Sequence, residues 1–159
     1  MIARDVMTRD VVSVTPDTPV RKVASLLVKH RIGAVPVIDD GGAPIGVSES
    51  DLIRPDRAAR EAWRRSWLEI LAEGEPLAPE LIVWLGSQNH SARAVMSAPV
   101  ITVSEETNLP DIAEILTTRR IKRVPVVRDG RIVGMIGCAD LVRALSVRLN
   151  KSVAEARAR

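Results

Sequence analysis

The sequence predicts an α/β protein made of two related βαββα units, packed together about a pseudo-two-fold axis, with an α-helical insert between them. Three observations support this prediction: an internal repeat, two matching series of predicted strands and helices, and a central segment without a counterpart. We place the first repeat at residues 1–55, the insert at 56–90, the second repeat at 91–150 and a C-terminal tail at 151–159. A unit of roughly 50 residues is marginally stable alone, which favours packing of the two copies against each other.

The internal repeat has a constant spacing. Short segments of the first copy recur 89 positions later in the second copy. A fixed spacing of this kind indicates that one supersecondary unit is present twice. The matching segments are Val6-Met7 with Val95-Met96, Val35-Pro36-Val37 with Val124-Pro125-Val126, Asp40-Gly41 with Asp129-Gly130, and Asp51-Leu52 with Asp140-Leu141.

Each copy begins with the same predicted strand and helix. The β-branched runs at 11–14 and 100–103 predict a first strand, and an apolar stripe at helical spacing follows each run. The stripes consist of Val20, Val23, Ala24 and Leu27 in the first copy, and of Leu109, Ile112, Ala113 and Leu116 in the second.

A hairpin and a second helix complete each predicted unit. Thr18 followed by Pro19 marks the start of the first helix, because Thr caps helices and Pro is favoured at the first helical position. A second helix is expected to begin near Ser48 and near Cys138, after two apolar strands that flank an Asp-Gly turn. The hairpin strands are predicted at 34–39, 43–48, 123–128 and 131–137.

Composition and charge exclude several classes of protein. The longest clean apolar run, at 81–85, is too short to cross a bilayer, and the N-terminus has no signal-peptide core, so no membrane association and a cytoplasmic location are expected. The single cysteine, Cys138, excludes an intramolecular disulfide and is expected to be a buried, unreactive thiol. Two histidines offer no metal-ligand cluster. A net charge of only +3 without Phe or Tyr argues against nucleic-acid binding.

The segment "SESD" at residues 48–51 allows two interpretations. Ser48, three residues before Asp51 and an apolar stretch, is typical of a helix N-terminus, where these side chains favour the free N–H groups and the helix dipole. The same residues can bind a ligand, because a hydroxyl and free N–H groups suit phosphate, and a carboxylate accepts hydrogen bonds from two vicinal hydroxyls. The two interpretations are compatible, and the sequence leaves both open.

The order of these motifs, present twice, resembles tandem CBS domains, the module first described in cystathionine β-synthase and often called a Bateman pair. The resemblance rests on the Val-Met pair, the Val-Pro-Val strand, the Asp-Gly turn and the Gly-to-Asp-Leu segment, and it covers about 1–55 and 91–150. It implies that the cleft between the two units binds an adenosine-containing ligand. In that family a Ser/Thr-x-x-Asp segment places the hydroxyl near phosphate and the Asp near the ribose.

The resemblance implies roles for individual residues. Ser48 matches the hydroxyl position and Asp51 the ribose position of the first copy, whereas Asp140 matches the ribose position of the second copy. Gly137 stands where the second hydroxyl would be. Basic residues before the Val-Pro-Val strand, implied to reach phosphate from the partner unit, occur only in the second copy; a solvated strand edge is their alternative role. The complete predicted ligand-binding set is Ser48, Asp51, Lys122, Arg123, Asp140, Val11, Ala34 and Val100.

Two departures from the repeat affect these roles. Between Gly46 and Asp51 there is one residue fewer than between Gly134 and Asp140, so the strand register near Ser48 stays open. The hydroxyl and the basic residues also belong to different copies. We therefore expect one strong nucleotide site per chain rather than two equal sites.

The insert at 56–90 has no counterpart in either repeat. Trp63 and Trp67 lie on an apolar stripe that predicts a first helix, and a short second helix with Trp84 is expected at 79–85. In this respect the chain is similar to stand-alone bacterial CBS pairs with a Trp-containing insert. The tryptophans either cover the outside of the pair or form a surface that binds a protein partner.

The resemblance implies a regulatory module that binds AMP, ADP or ATP and transmits ligand occupancy through the geometry of a homodimer. A dimer formed through the helices is expected because two-fold association is the commonest way to cover apolar helix faces. No obligatory cofactor is expected. The sequence contains no nucleophile elbow, P-loop or dinucleotide fingerprint, so the protein is expected not to be an enzyme.

Two alternative functions stay open. The first is a scaffold or dimerisation module with degenerate pockets, whose Trp-containing insert binds a regulated protein. The second is a nucleic-acid binder, suggested by the pair Arg64-Arg65 and the basic net charge. Binding to arbitrary duplex that weakens with salt would support the second alternative.

Overall fold

The computed structural model of the protein describes residues 1–49 and 90–157. The predicted insert helices and Asp51 therefore lie outside the described residues. The described chain contains five helices and five strands, which confirms the mixed α/β class. In chain order the elements are α1 (Ala3–Val6), α2 (Val20–His30), β1 (Ala34–Ile38), β2 (Pro44–Glu49), α3 (Ala92–Val95), β3 (Val103–Ser104), α4 (Leu109–Thr118), β4 (Arg123–Arg128), β5 (Arg131–Gly137) and α5 (Cys138–Arg157).

The chain divides into two compact units that do not follow the order of the sequence. Unit 1 consists of Met1–Val11, Gly41–Pro44 and Ile101–Arg159, and unit 2 consists of Val12–Asp40 and Ile45–Val100. These units are defined by contacts, whereas the predicted domain boundaries describe sequence similarity. The boundaries drawn from the repeat stay a prediction.

Among the described residues, each unit contains one small β-sheet. In unit 1, β3 pairs in parallel with β4, and β4 pairs antiparallel with β5, so β4 is the central strand. In unit 2, β1 and β2 form a two-stranded sheet, and Val14 forms an isolated parallel bridge with Val37. All four hairpin strands begin and end within one residue of the predicted ranges, which confirms both hairpins.

The first long helix of each copy buries the apolar stripe that the sequence predicts. Val20, Val23 and Leu27 of α2 are buried, as are Ile112 and Leu116 of α4. Residues at this spacing lie on one face of a helix, so each helix presents a continuous apolar surface to its sheet. The strand residues in the same cores are Val35 and Val37 in unit 2, and Val124, Val126 and Ile136 in unit 1.

The first predicted strand of each copy is much shorter than its β-branched run suggests. Only Val14 pairs in the first copy, and only Val103 and Ser104 pair in the second. The chain passes from one unit to the other at Val11–Val12 and at Val100–Ile101, so these residues connect units instead of extending a sheet. The predicted strands are therefore wrong over most of their length. β-propensity reflects the preference of single residues and carries no information about where a chain must leave a sheet.

The helix start predicted at Thr18 is also wrong by one residue. Pro19 is the N-cap of α2, and the Thr18 hydroxyl accepts a hydrogen bond from the N–H of Thr15 at 3.1 Å. The second copy has the same turn, in which the Thr107 hydroxyl accepts from the N–H of Ser104 at 3.0 Å. The threonine stabilises the turn before the helix rather than the helix N-terminus.

Lead segment 1, residues 1–11, docks on the hairpin of the second repeat within unit 1. Ala3 is fully buried, and Thr8 and Met135 exchange two backbone hydrogen bonds of 2.9 Å. The Met7 side chain lies on the backbone of Gly134, where a Cβ atom would be 2.5 Å from the Met7 Sδ. The missing side chain of Gly134 therefore makes room for the methionine.

Lead segment 2, residues 90–100, makes the same contacts with the hairpin of the first repeat within unit 2. Ala92 is fully buried, and Ser97 and Val47 exchange backbone hydrogen bonds of 2.9 and 3.2 Å. A Cβ atom at Gly46 would be 2.5 Å from the Sδ of Met96. The N-terminal segment of each repeat thus docks on the hairpin of the other repeat.

Replacing Gly134 with alanine should destabilise the protein, because the new methyl group meets the Met7 side chain. Overpacking of this kind lowers the free energy of unfolding by about 1–3 kcal/mol. Denaturant unfolding of Gly134→Ala, Met7→Ala and the double variant measures the effect. The glycine substitution should cost less when Met7 is truncated, and equal costs in both backgrounds would show that this contact does not limit the space.

Candidate functional site

Ser48 lies inside strand β2, which continues to Glu49. No helix can therefore begin at Ser48 or Glu49, and the residues at which a later start would lie are outside the described part of the chain. Its side chain is fully buried, and its hydroxyl has no hydrogen-bond partner in the described part of the chain. A buried polar group without a partner costs stability, so this hydroxyl requires a physical explanation.

The register of the two hairpins explains why Ser48 is buried. Val47 and Met135 are the strand residues that pair with lead segments 2 and 1. They lie 88 positions apart, one fewer than the spacing of the repeat. The residues that follow them, Ser48 and Ile136, therefore occupy equivalent places, and both are fully buried. In this register Ser48 takes the place of a core isoleucine and not that of Gly137.

Asp140 forms part of the N-terminal cap of helix α5. Its Oδ2 accepts a hydrogen bond from the N–H of Gly137 at 2.8 Å, across the junction between β5 and α5. Its Oδ1 accepts a hydrogen bond of 3.2 Å from Nη1 of Arg143. The carboxylate thus satisfies a free N–H group at the positive end of the helix dipole, as a helix-capping carboxylate does.

Gly137 lies opposite Arg123 in the antiparallel pair of β4 and β5. A Cβ atom at Gly137 would be 3.3 Å from the Arg123 Cγ and 3.5 Å from the carbonyl oxygen of Lys122. That carbonyl accepts a hydrogen bond of 3.2 Å from the N–H of Cys138. The aliphatic part of the Arg123 side chain therefore occupies the space that a hydroxyl-bearing side chain at position 137 would need.

The structure brings three predicted ligand-binding residues together within unit 1. Lys122, Arg123 and Asp140 surround the junction between β5 and α5. Ala34 is the buried first residue of β1 in unit 2. The remaining predicted positions are Val11 and Val100, at two of the four connections between units, Ser48, inside β2, and Asp51, outside the described residues.

Two features of this junction were not predicted from the sequence. Cys138 is exposed, so the prediction of a buried thiol is wrong: the apolar run ends with β5, and Cys138 opens helix α5 on its solvent side. Arg143 contacts Asp140 but was not predicted to belong to the site. The available signal was the three-residue spacing of opposite charges on a helix.

Metal binding and membrane crossing have no support in the residues that the structure describes. In the ranges 1–49 and 90–157, no group of three or more His, Cys, Asp or Glu side chains could hold a metal ion. No helix in the same ranges is long and apolar enough to cross a bilayer.

The sequence profile of the CBS domain matches residues 3–54 and 92–147, so the chain belongs to the CBS-domain family. The two matches confirm the tandem pair. The Methanopyrus kandleri protein MK0525 is 26% identical over 141 residues, an alignment that spans 87% of this chain and 60% of that relative. The chain therefore covers less than two thirds of the length of this relative.

Solved structures of CBS pairs are similar to the protein along most of the chain. The CBS domain of a CBS-domain-containing membrane protein from Sphaerobacter thermophilus is 32% identical, with a TM-score of 0.69 and coverage of 90% of this chain and 86% of that one. CBSX2, solved in complex with AMP, is 25% identical, with a TM-score of 0.66 and coverage of 91% and 95%. These similarities confirm the fold class.

Removing the Ser48 hydroxyl should stabilise the ligand-free protein. An unpaired buried polar group costs about 1–3 kcal/mol, so Ser48→Ala should raise the free energy of unfolding by roughly 1 kcal/mol. Denaturant unfolding without nucleotide measures the change. Ser97→Ala, an exposed serine on the adjacent lead segment, is the control and should change stability by less than about 0.5 kcal/mol. Clear destabilisation by Ser48→Ala would mean that the hydroxyl has a partner.

Proposed function

We propose that the protein is a regulatory module that binds an adenosine-containing nucleotide of the AMP, ADP and ATP class. Membership of the CBS-domain family supports a ligand-binding regulatory role. The observation that carries the adenosine assignment is the similarity to CBSX2, a CBS pair that binds AMP and aligns with 91% of this chain. The nucleotide acts as a reversible regulatory ligand and not as an obligatory cofactor.

The proposed binding residues have chemistry suited to a nucleotide. The carboxylates of Asp51 and Asp140 accept hydrogen bonds from ribose hydroxyls, one in each repeat. Lys122 and Arg123 supply positive charge for phosphate, and the planar guanidinium can bind it through two parallel hydrogen bonds. Ser48 supplies a hydroxyl. The apolar members of the proposed set are Val11, Ala34 and Val100.

The burial of Ser48 supports a role that depends on a ligand. A buried hydroxyl without a partner in the described part of the chain lowers the stability of the ligand-free protein. A ligand that accepts a hydrogen bond from Ser48, directly or through a water molecule, removes this cost on binding. The same residue then contributes to the difference in stability between the empty and the occupied protein.

The proposal describes a regulatory protein in the cytoplasm without catalytic activity of its own. The alternative is a scaffold with degenerate pockets that binds a protein partner through the Trp-containing insert. That alternative stays a hypothesis, because the insert lies outside the described residues. Binding of a nucleotide distinguishes the two functions.

A panel of AMP, ADP, ATP, NAD, S-adenosylmethionine and guanosine nucleotides should contain an adenosine ligand that raises the Tm, because binding to the folded state alone stabilises it. Asp51→Ala should abolish the shift and keep the fold, since lost hydrogen bonds to a charged group cost about 1.5–3 kcal/mol.

Asp17→Ala is the matched control, because the Asp17 side chain is 91% exposed and has no proposed ligand role. It should respond to the ligand as the wild type does. An undiminished shift in Asp51→Ala would refute the ribose role of Asp51. A panel without any adenosine hit would favour the scaffold.

Helix α5 has an exposed apolar stripe that we propose is covered by a second copy of the chain. Val142, Leu145 and Leu149 are 66%, 57% and 55% exposed, and their spacing places them on one face of the helix. Contiguous apolar surface of this kind is typical of a protein contact. A two-fold dimer covers the same stripe on both copies.

Replacing Leu145 with glutamate should shift the protein from dimer to monomer, because the new charge would be buried in the contact without a partner. Light scattering across the micromolar range measures the mass. Val147→Glu is the control: Val147 is 58% exposed, but it lies on the other side of α5. A monomeric wild type, or equal loss of dimer in both variants, would refute a contact through this stripe.

A further inference from the structure

The carboxylate of Asp140 is already engaged by two groups of the chain. Its Oδ2 accepts from the N–H of Gly137 at 2.8 Å, and its Oδ1 accepts from Nη1 of Arg143 at 3.2 Å. The Asp140 side chain is 14% exposed, whereas that of Arg143 is 72% exposed. The arginine is therefore the partner that solvent and ligands can reach and displace.

The two oxygens of Asp140 have different tasks. The contact of Oδ2 with Gly137 holds the start of α5, and a ligand that disrupted it would also disrupt the helix cap. Oδ1 is the oxygen that a ligand can take over at little structural cost. Arg143 occupies this oxygen, so a ribose hydroxyl that binds there has to compete with the guanidinium.

We propose that Arg143 is a specificity-determining residue at the ligand position of the second repeat, where it favours nucleotides over nucleosides. A neutral nucleoside displaces Arg143 from Asp140 without offering it another anion. A nucleotide supplies phosphate oxygens, to which the guanidinium moves while Oδ1 accepts a ribose hydroxyl. The inference rests on the proposed function, because it assigns Asp140 to ribose.

Arginine is suited to this exchange between two anions. Its planar group donates in the same geometry to a carboxylate and to a phosphate, and it stays charged at all relevant pH values. The exchange replaces one charge-assisted contact with another, so a phosphate ligand loses little by displacing Arg143. Binding of a nucleoside breaks the Asp140–Arg143 contact without replacing it. The affinity for nucleosides is therefore lowered relative to the affinity for nucleotides.

A purely structural role explains Arg143 less well. The cap of α5 is made by the carboxylate and the N–H of Gly137 and does not require the arginine. An ion pair with so exposed a member contributes little to folding stability. Arg143→Ala should therefore fold normally, which makes its ligand affinities interpretable.

Calorimetry with adenosine and AMP tests the inference in the otherwise wild-type protein, where the second repeat is expected to form the weaker of two sites and its affinity is resolved as the second binding step. Adding Arg143→Ala should raise the affinity for adenosine about two- to fivefold and lower the affinity for AMP by a similar factor. Arg148→Ala is the matched control, since Arg148 is an exposed arginine of the same helix without a described contact to Asp140. It should leave both affinities unchanged.

Salt provides a second readout that a structural role would not produce. Adenosine is uncharged, so salt acts on its binding mainly by screening the pair of Arg143 and Asp140. The affinity for adenosine should rise as salt increases with Arg143 present, and it should become insensitive to salt in Arg143→Ala.

The outcomes separate this inference from the proposed function. If the wild type binds neither adenosine nor AMP, the proposed function fails and the inference fails with it. If the wild type binds AMP but Arg143→Ala behaves as Arg148→Ala does, the inference alone is overturned. Changes of both affinities in the same direction would also overturn it, because they indicate a structural effect.

Discussion

The contact between a methionine side chain and the bare backbone of a glycine is the constraint on which the described structure depends in both units. Met7 lies on Gly134 and Met96 lies on Gly46, and any β-carbon at either glycine would collide with the sulfur. The contact fixes the docked lead segment beside one strand and thereby selects which strand residue forms the backbone bridge. Every position downstream on that strand, including the junction with the next helix, follows from this choice.

The fixed register gives the two repeats different chemistry at equivalent places. The turn at 39–43 in the first hairpin is longer than the turn at 129–130 in the second, and the strands after these turns are displaced by one residue relative to the repeat. A displacement of one residue moves a side chain to the other face of a strand. Ser48 consequently enters a core position held by Ile136 in the second repeat, although the motif "SESD" places it beside the helix.

The sequence predicted the elements whose signal is local and missed the features that depend on distant contacts. The hairpins and the buried faces of α2 and α4 follow from alternation and helical spacing, which each segment carries in itself. Val11 and Val100 look like strand residues by composition, but the passage of the chain between units leaves them unpaired in any sheet. The burial of Ser48 depended on a register that only the docked lead segments determine.

The candidate site was predicted in part for the same reason. A basic pair before a strand and an Asp at a helix start are visible in sequence, and the structure places Lys122, Arg123 and Asp140 at one junction. The sequence did not predict that the two oxygens of Asp140 contact different groups, because these contacts depend on the positions of a backbone N–H and a guanidinium. For the equivalent segment at 48–51 the sequence leaves both helix capping and ligand binding open. At Asp140 they apply to different atoms of one carboxylate: the cap holds one oxygen in place, and the fixed position of that oxygen orients the other toward Arg143 and any ligand that displaces it.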